Sequence, residues 1–145
     1  MKNANTLQEL VSIARDGAKF YDEAGQEVKD PSLKPLFARM ADHKRTLIAD
    51  LSGTLAANHE DIPTSGTVAG KLRQVYTDVR SSLSSNDAKV YVSQLEETED
   101  RMLEHFEDAV KDVDDAGVRS ILQSHLPEVR ACHAEMRAAK QRYTA

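Results

Sequence analysis

Apolar residues recur at helical spacing along nearly the whole chain, and they divide it into four long segments and one short segment. The first two long segments meet at Asp30-Pro31, and the last two meet at Asp114-Asp115. Connections this short predict that each pair of segments folds as an antiparallel helical hairpin. The pattern contains no strand-like alternation of apolar and polar residues.

The connection between the two hairpins is long and has a structure of its own. Residues 59 to 66 include Pro63 and Gly66 and predict a loop. The amphipathic stretch from Val68 to Leu83 then predicts a short fifth helix. We therefore expect an all-α, ferritin-like antiparallel four-helix bundle, with a long crossover that carries this fifth helix. One domain is expected to span residues 1–145.

Composition and charge exclude several classes of partner. The formal net charge is -5, and lysine and arginine are spread along the chain, so no basic patch predicts binding to nucleic acid. No apolar run reaches the length of about 20 residues that a membrane-spanning helix needs. The polar residues at the start of the chain and the single cysteine, Cys132, favour a cytoplasmic protein.

Five polar residues fall on or near the stripes that are expected to face the core. A bundle core is normally apolar, so these positions are the most informative about function. Tyr21 lies on the first helix, Lys44 on the second and Glu99 on the fourth, while His125 and His133 lie on the last. The sequence therefore predicts a buried polar cluster that is made of these five side chains.

The cluster lacks the residues of an ordinary di-iron site, which needs a Glu from each of two helices and a Glu-x-x-His pair from each of the others. On a helical wheel Glu23 and Glu27 point sideways or outward, so only Glu99 and His133 match the required types. We expect Lys44 to pair with Glu99 and predict no catalytic or cofactor-binding residue. A reduced iron or manganese site on Glu99 and His133 is the alternative.

Three stretches of the chain resemble an uncharacterised bacterial ferritin-like four-helix-bundle family, found mainly in proteobacteria. The stretch 17–37, GAKFYDEAGQEVKDPSLKPLF, is similar to the first hairpin of that family. The similarity continues through residues 65–70 in the crossover and 97–100 in the fourth helix, and it reaches His133. Thr98 stands where the family usually has Gly, and His43 stands where an acid is usual.

The resemblance implies the ferritin-like fold and a loose association with stress responses, but no established activity. Because the core stripes offer polar residues for one ion pair and little chemistry, the expected function is that of a non-enzymatic cytoplasmic bundle with an assembly or binding role. A homodimer is expected, with Leu72 and Tyr76 of the crossover helix at its interface. The alternative function is metal binding at a degenerate centre without ferroxidase activity.

Overall fold

The computed structural model describes residues 1–64 and 88–144, which form α-helices and contain no strand. The all-α prediction is confirmed. The predicted fifth helix between Val68 and Leu83, together with Leu72 and Tyr76, lies outside the described residues. None of the helices in the described ranges is long and apolar enough to span a membrane. The helices are α1 (Ala4–Glu27), α2 (Leu33–Ala57), α3 (Ala88–Asp112) and α4 (Ala116–Thr144).

The turn between α1 and α2 is organised by Asp30. Its Oδ1 accepts hydrogen bonds from the backbone N–H of Ser32, at 2.9 Å, and from the Ser32 hydroxyl, at 2.7 Å. The Tyr143 hydroxyl near the end of α4 donates to Oδ2 of the same side chain. The bond from Tyr143, followed by those from Ser32, lowers the pKa of Asp30. The turn between α1 and α2 is therefore hydrogen-bonded to the C-terminal end of α4.

The turn between α3 and α4 is closed by hydrogen bonds at both helix ends. Asp115 is the N-cap of α4, because its Oδ1 accepts from the backbone N–H of Val118 at 3.0 Å. The Arg119 guanidinium donates to the carbonyl oxygens of Val110 and Val113, near the C-terminal end of α3. Asn3, just before α1, accepts a hydrogen bond of 3.1 Å from the Asp115 N–H.

Contacts between α1 and α3 show that these two helices are antiparallel. Glu9, early in α1, lies 3.6 Å from His105, late in α3, measured between Oε1 and Nδ1. Tyr21, late in α1, hydrogen-bonds Glu99, which precedes His105 on α3. Residue numbers thus rise along α1 as they fall along α3.

The same comparison shows that α2 and α4 are antiparallel. Arg39, early in α2, pairs with Glu135, whereas Asp50, late in α2, pairs with His125. Since α1 packs along α2 and α3 packs along α4, each helix has two antiparallel neighbours. It follows that α2 and α3 point in the same direction and lie diagonally opposite each other.

The inner stripes of the four helices form one apolar core. Its largest fully buried side chains include Tyr21, Tyr91, Phe37 and Phe106, accompanied by leucines from α1 and α2. Burying one large apolar side chain contributes about 1.5–3 kcal/mol to folding. A polar group that enters this core must therefore find its partners inside the protein.

Candidate functional site

A fully buried carboxylate, that of Glu99 on α3, lies in the core. The Tyr21 hydroxyl on α1 donates a hydrogen bond of 2.7 Å to its Oε1. The Nζ atom of Lys44 on α2 lies 2.7 Å from the same oxygen. Glu99 is 0% exposed and Lys44 only 3% exposed. The structure therefore brings together three of the five residues of the predicted polar cluster, one from each of three helices.

The position of Glu99 follows from the local sequence of α3. Leu95 lies one turn before Glu99 on the same face, and Met102 lies one turn after it. Both neighbours are buried. Because their burial fixes the rotation of the helix, the glutamate side chain between them is carried into the core.

Lys44 is placed by the same principle on α2. Met40 and Leu47, one turn away on either side, are buried with it. Its Nζ also lies 5.9 Å from the centre of the Tyr21 ring, which is within the range of a cation–π contact. Tyr21 thus contacts both members of the ion pair, the carboxylate through its hydroxyl and the ammonium through its ring.

The ion pair is held by charge more than by directed hydrogen bonds. The approach of Lys44 Nζ to Glu99 Oε1 does not have hydrogen-bond geometry, and Glu99 Oε2 has no hydrogen-bond partner among the described residues. Two buried charges without full hydrogen bonding offset their desolvation mainly through mutual attraction. Removing either partner would therefore leave the other as an uncompensated buried charge.

The thiol of Cys132, on α4, is buried near the ion pair, and the charges of Lys44 and Glu99 affect its pKa. Burial raises the pKa of this thiol to about 11, with Lys44 lowering it and Glu99 raising it by smaller amounts. Only the thiolate is nucleophilic, so the thiol is unreactive near neutral pH. Cys132 is therefore a packing residue of the core, as its place on the apolar stripe of α4 predicts.

The structure places His125 outside the group formed by Tyr21, Lys44 and Glu99. Its Nε2 contacts Asp50 of α2, whose side chain is 57% exposed, and His125 itself is 18% exposed. The inward position on this turn of α4 is taken by Leu126, one residue further along. A rotation of about 100° per residue is enough to move His125 from the core to the seam between α2 and α4.

His133 also has partners other than those expected. Its Nε2 lies 3.0 Å from Oδ1 of Asp100 and 3.6 Å from Oε1 of Glu96, both on α3. The structure describes no ion pair between His133 and Glu99, whose contacts are with Tyr21 and Lys44. The two residues predicted as an alternative metal pair therefore belong to separate groups of side chains.

Glu96 is the functional candidate that sequence reasoning missed. The run from 96 to 100 predicts a solvated face with Glu99 as its one exception, yet Glu96 is 9% exposed. Its burial depends on α4, which supplies His133 and also Lys140, 3.4 Å away from Oε2. The available signal was the spacing of Glu96 and Asp100, which places two carboxylates one turn apart on the same face.

His43, where the resembled family usually has an acid, lies on the seam between α2 and α4. Its Nε2 is 3.2 Å from Oε2 of Glu128, and its side chain is 14% exposed. Burial lowers the pKa of the imidazole, and the ammonium of the adjacent Lys44 lowers it further. His43 therefore stays uncharged to a lower pH than an exposed histidine does.

These features define a helical-bundle protein whose core contains an ion pair between diagonally opposite helices. The chain belongs to a family described as a domain of unknown function, DUF2383, which matches residues 2–112. The matched range includes α1, α2 and α3 and ends where α3 ends, so Cys132 and His133 lie beyond it. No curated protein and no solved structure matches the chain.

Proposed function

We propose that this chain is a non-enzymatic ferritin-like bundle with a binding role. The single observation that carries the proposal is the buried ion pair, because the Lys44 ammonium lies against Glu99 where a di-iron bundle needs a second carboxylate. The parallel direction of α2 and α3 supports the ferritin-like part, since that topology uses one long crossover between two hairpins. The resemblance to a stress-associated family supports a role in stress physiology.

The donor set of the core also argues against a di-iron oxidase. On α1, Glu23 is half-buried and Glu27 is exposed, while the inward position is occupied by Tyr21. A di-iron site neutralises two cations with carboxylates from several helices. Here the Glu99 carboxylate is already neutralised by Lys44, so two iron ions in this core would lack compensating charge.

Iron oxidation tests this proposal directly. We expect the protein to leave the rate of Fe²⁺ oxidation in air unchanged from that of buffer, because the core lacks the carboxylates that hold two irons. The measurement follows Fe³⁺ absorbance near neutral pH, with a known ferroxidase as the positive control. Acceleration by the wild-type protein would contradict it, and loss of that acceleration in Lys44→Met with Glu99→Leu, but not in the seam variant His125→Gln, would assign the activity to the core.

The alternative function, iron or manganese bound at a degenerate centre on Glu99 and His133, stays a prediction. It has less support than the leading proposal, because Glu99 contacts Tyr21 and Lys44 whereas His133 contacts Asp100 and Glu96. A metal held by both Glu99 and His133 would have to break the first group of contacts.

We expect a cytoplasmic homodimer in solution. The expectation rests on the ferritin-like resemblance, since bundles of that class often associate. Size-exclusion chromatography with light scattering at micromolar concentration should give twice the chain mass of 16.1 kDa. A monomer under these conditions would remove dimerisation from the proposal and leave the absence of ferroxidase activity untouched.

A further inference from the structure

A histidine and two carboxylates converge on the outer side of the α3–α4 hairpin. Glu96 and Asp100 lie one turn apart on α3, and His133 faces them from α4. One ligand atom from each of the three residues lies within 4.8 Å of the other two. Nε2 of His133 is 3.0 Å from Asp100 Oδ1 and 3.6 Å from Glu96 Oε1.

Two of the three side chains are built into the packing, and the third opens to solvent. Glu96 is 9% exposed and the His133 side chain 15% exposed, while the Asp100 side chain is 42% exposed. Nε2 of His133 is itself inaccessible to solvent and makes no hydrogen bond, although it faces two carboxylates. A cation between these three atoms would bind the nitrogen and would neutralise both carboxylates.

The distances suit a first-row divalent metal. With metal–ligand bonds of about 2.1 Å, neighbouring ligand atoms lie about 3.0 Å apart in octahedral geometry and about 3.4 Å apart in tetrahedral geometry. The separations of His133 from Asp100 and Glu96, 3.0 and 3.6 Å, are close to these values, and the two carboxylates lie within 4.8 Å of each other. One nitrogen with two oxygens suits Zn²⁺ or Mn²⁺.

The surroundings leave room for the remaining ligands. The three side chains line a cleft of about 420 Å³, which is also lined by Arg137 and Lys140. Lys140 contacts Oε2 of Glu96 at 3.4 Å, so Oε1 stays directed at His133. Contacts of this kind to the second oxygen of a ligand carboxylate orient it toward the metal.

We propose that Glu96, Asp100 and His133 bind one divalent transition-metal ion, Zn²⁺ or Mn²⁺, with its open positions toward the cleft. This inference rests on the proposed binding function and names a divalent metal ion as the ligand that is bound. The site is separate from the Glu99 ion pair, so occupation by a metal leaves Lys44 and Tyr21 in place.

Isothermal titration of the chelator-treated full chain, with Zn²⁺ alone and then with Mn²⁺ alone, tests the site. We expect one ion per chain for at least one of the metals. Removing an outer partner of a metal ligand commonly weakens binding 10–100-fold, so Asp100→Asn and His133→Gln should each weaken it by at least about tenfold. The metal should also raise the melting temperature of the wild type and not that of His133→Gln, which separates lost binding from lost folding.

Two matched variants complete the experiment. His125→Gln removes a histidine that pairs with a carboxylate on the other seam of α4, and it should bind the metal as the wild type does. Lys44→Met with Glu99→Leu tests the alternative centre without leaving an unpaired buried charge, and it too should retain binding. Absence of saturable binding of either ion, full affinity in the combined Asp100→Asn and His133→Gln variant, or loss of binding in the folded Lys44→Met and Glu99→Leu variant would each overturn the proposal. None of these results bears on ferroxidase activity, which is measured separately.

Discussion

Lys44→Ala is expected to lower the free energy of unfolding by about 3–5 kcal/mol, which is the cost of breaking a buried ion pair by removing one partner. The cause is the Glu99 carboxylate, which is 0% exposed and would lose the cation that lies 2.7 Å from its Oε1. The Tyr21 hydrogen bond would remain but could not replace a full charge. Urea denaturation, followed by circular dichroism, measures the change.

A double variant separates loss of the pair from loss of packing. Lys44→Met with Glu99→Leu removes both charges and keeps most of the side-chain volume, so it should recover most of the lost stability. Arg39→Ala is the matched control on α2, since Arg39 pairs with Glu135 at the surface, where both side chains are largely exposed. This control should change stability by less than about 1 kcal/mol. A loss under about 0.5 kcal/mol in Lys44→Ala would mean that the lysine reaches water.

The inward direction of Lys44 and Glu99 can be predicted from sequence because each has strongly apolar neighbours on its own helix. Burial of Leu95 and Met102 fixes the rotation of α3 about its axis. Burial of Met40 and Leu47 fixes the rotation of α2 in the same way. The wheel also predicts that Lys44 and Glu99 pair, since two buried opposite charges must find partners in the core. It leaves open whether Tyr21 or a histidine adds a bond to this pair, because that depends on how far the neighbouring helices slide along each other.

Residues at the edge of a stripe are harder to place, and His125 shows why. On α4 the apolar positions around it are Leu122, Leu126 and Val129, all buried in the structure. A histidine at the edge of this apolar stripe can point into the core or into the seam with a neighbouring helix. Which direction it takes depends on the polar partner that the neighbouring helix presents. Asp50 of α2 is that partner, and a wheel drawn for α4 alone contains no information about it.

Glu96 also shows that a wheel drawn for one helix omits the contacts made by its neighbour. On α3 alone Glu96 belongs to a run of charged residues, which predicts that it is exposed to solvent. Its burial comes from α4, where His133 and Lys140 cover it and supply partners. Pairing between two helices that are joined by a turn depends on their register, and the register is decided by the cap at Asp115 together with the contacts of Arg119.

The start of α1 departs from its local signal. Thr6 and Glu9 have the spacing of a capping box, but α1 begins at Ala4, so both residues lie inside the helix. Pro127 lies inside α4, which continues as one helix from Ala116 to Thr144. A proline there removes one backbone hydrogen bond, and the kink that it predicts about a turn upstream stays a prediction.

Cys132 is expected to be alkylated far more slowly in the folded protein than in the unfolded chain. Burial raises the pKa of its thiol from an ordinary value of 9.0 to about 11, which lowers the thiolate fraction at pH 8 by about 100-fold. The side chain is also only 6% exposed, so steric protection acts in the same direction. Iodoacetamide labelling at pH 8, followed by mass spectrometry with and without urea, should therefore differ by at least about 100-fold in rate.

The pH dependence of this labelling distinguishes a shifted pKa from steric protection alone. A thiol whose folded-state pKa is raised stays protonated until the pH approaches about 11, so the folded-state rate should keep rising between pH 9 and 11. The unfolded chain should reach its plateau earlier, near the ordinary pKa. The thiol of the unfolded chain loses its proton at a lower pH than the folded thiol does. The free energy of unfolding should therefore also fall as the pH rises from about 9 to about 11.

Lys44→Ala connects the two expected results. The Lys44 ammonium lowers the pKa of the Cys132 thiol, so its removal should make the folded thiol still less acidic. The same substitution destabilises the bundle, however, and exposes the thiol through more frequent opening. Faster labelling in Lys44→Ala, restored to a slow rate in Lys44→Met with Glu99→Leu, would show that an unpaired Glu99 carboxylate opens the core around Cys132. Equal labelling rates in the folded and unfolded wild type would contradict the buried position of this thiol.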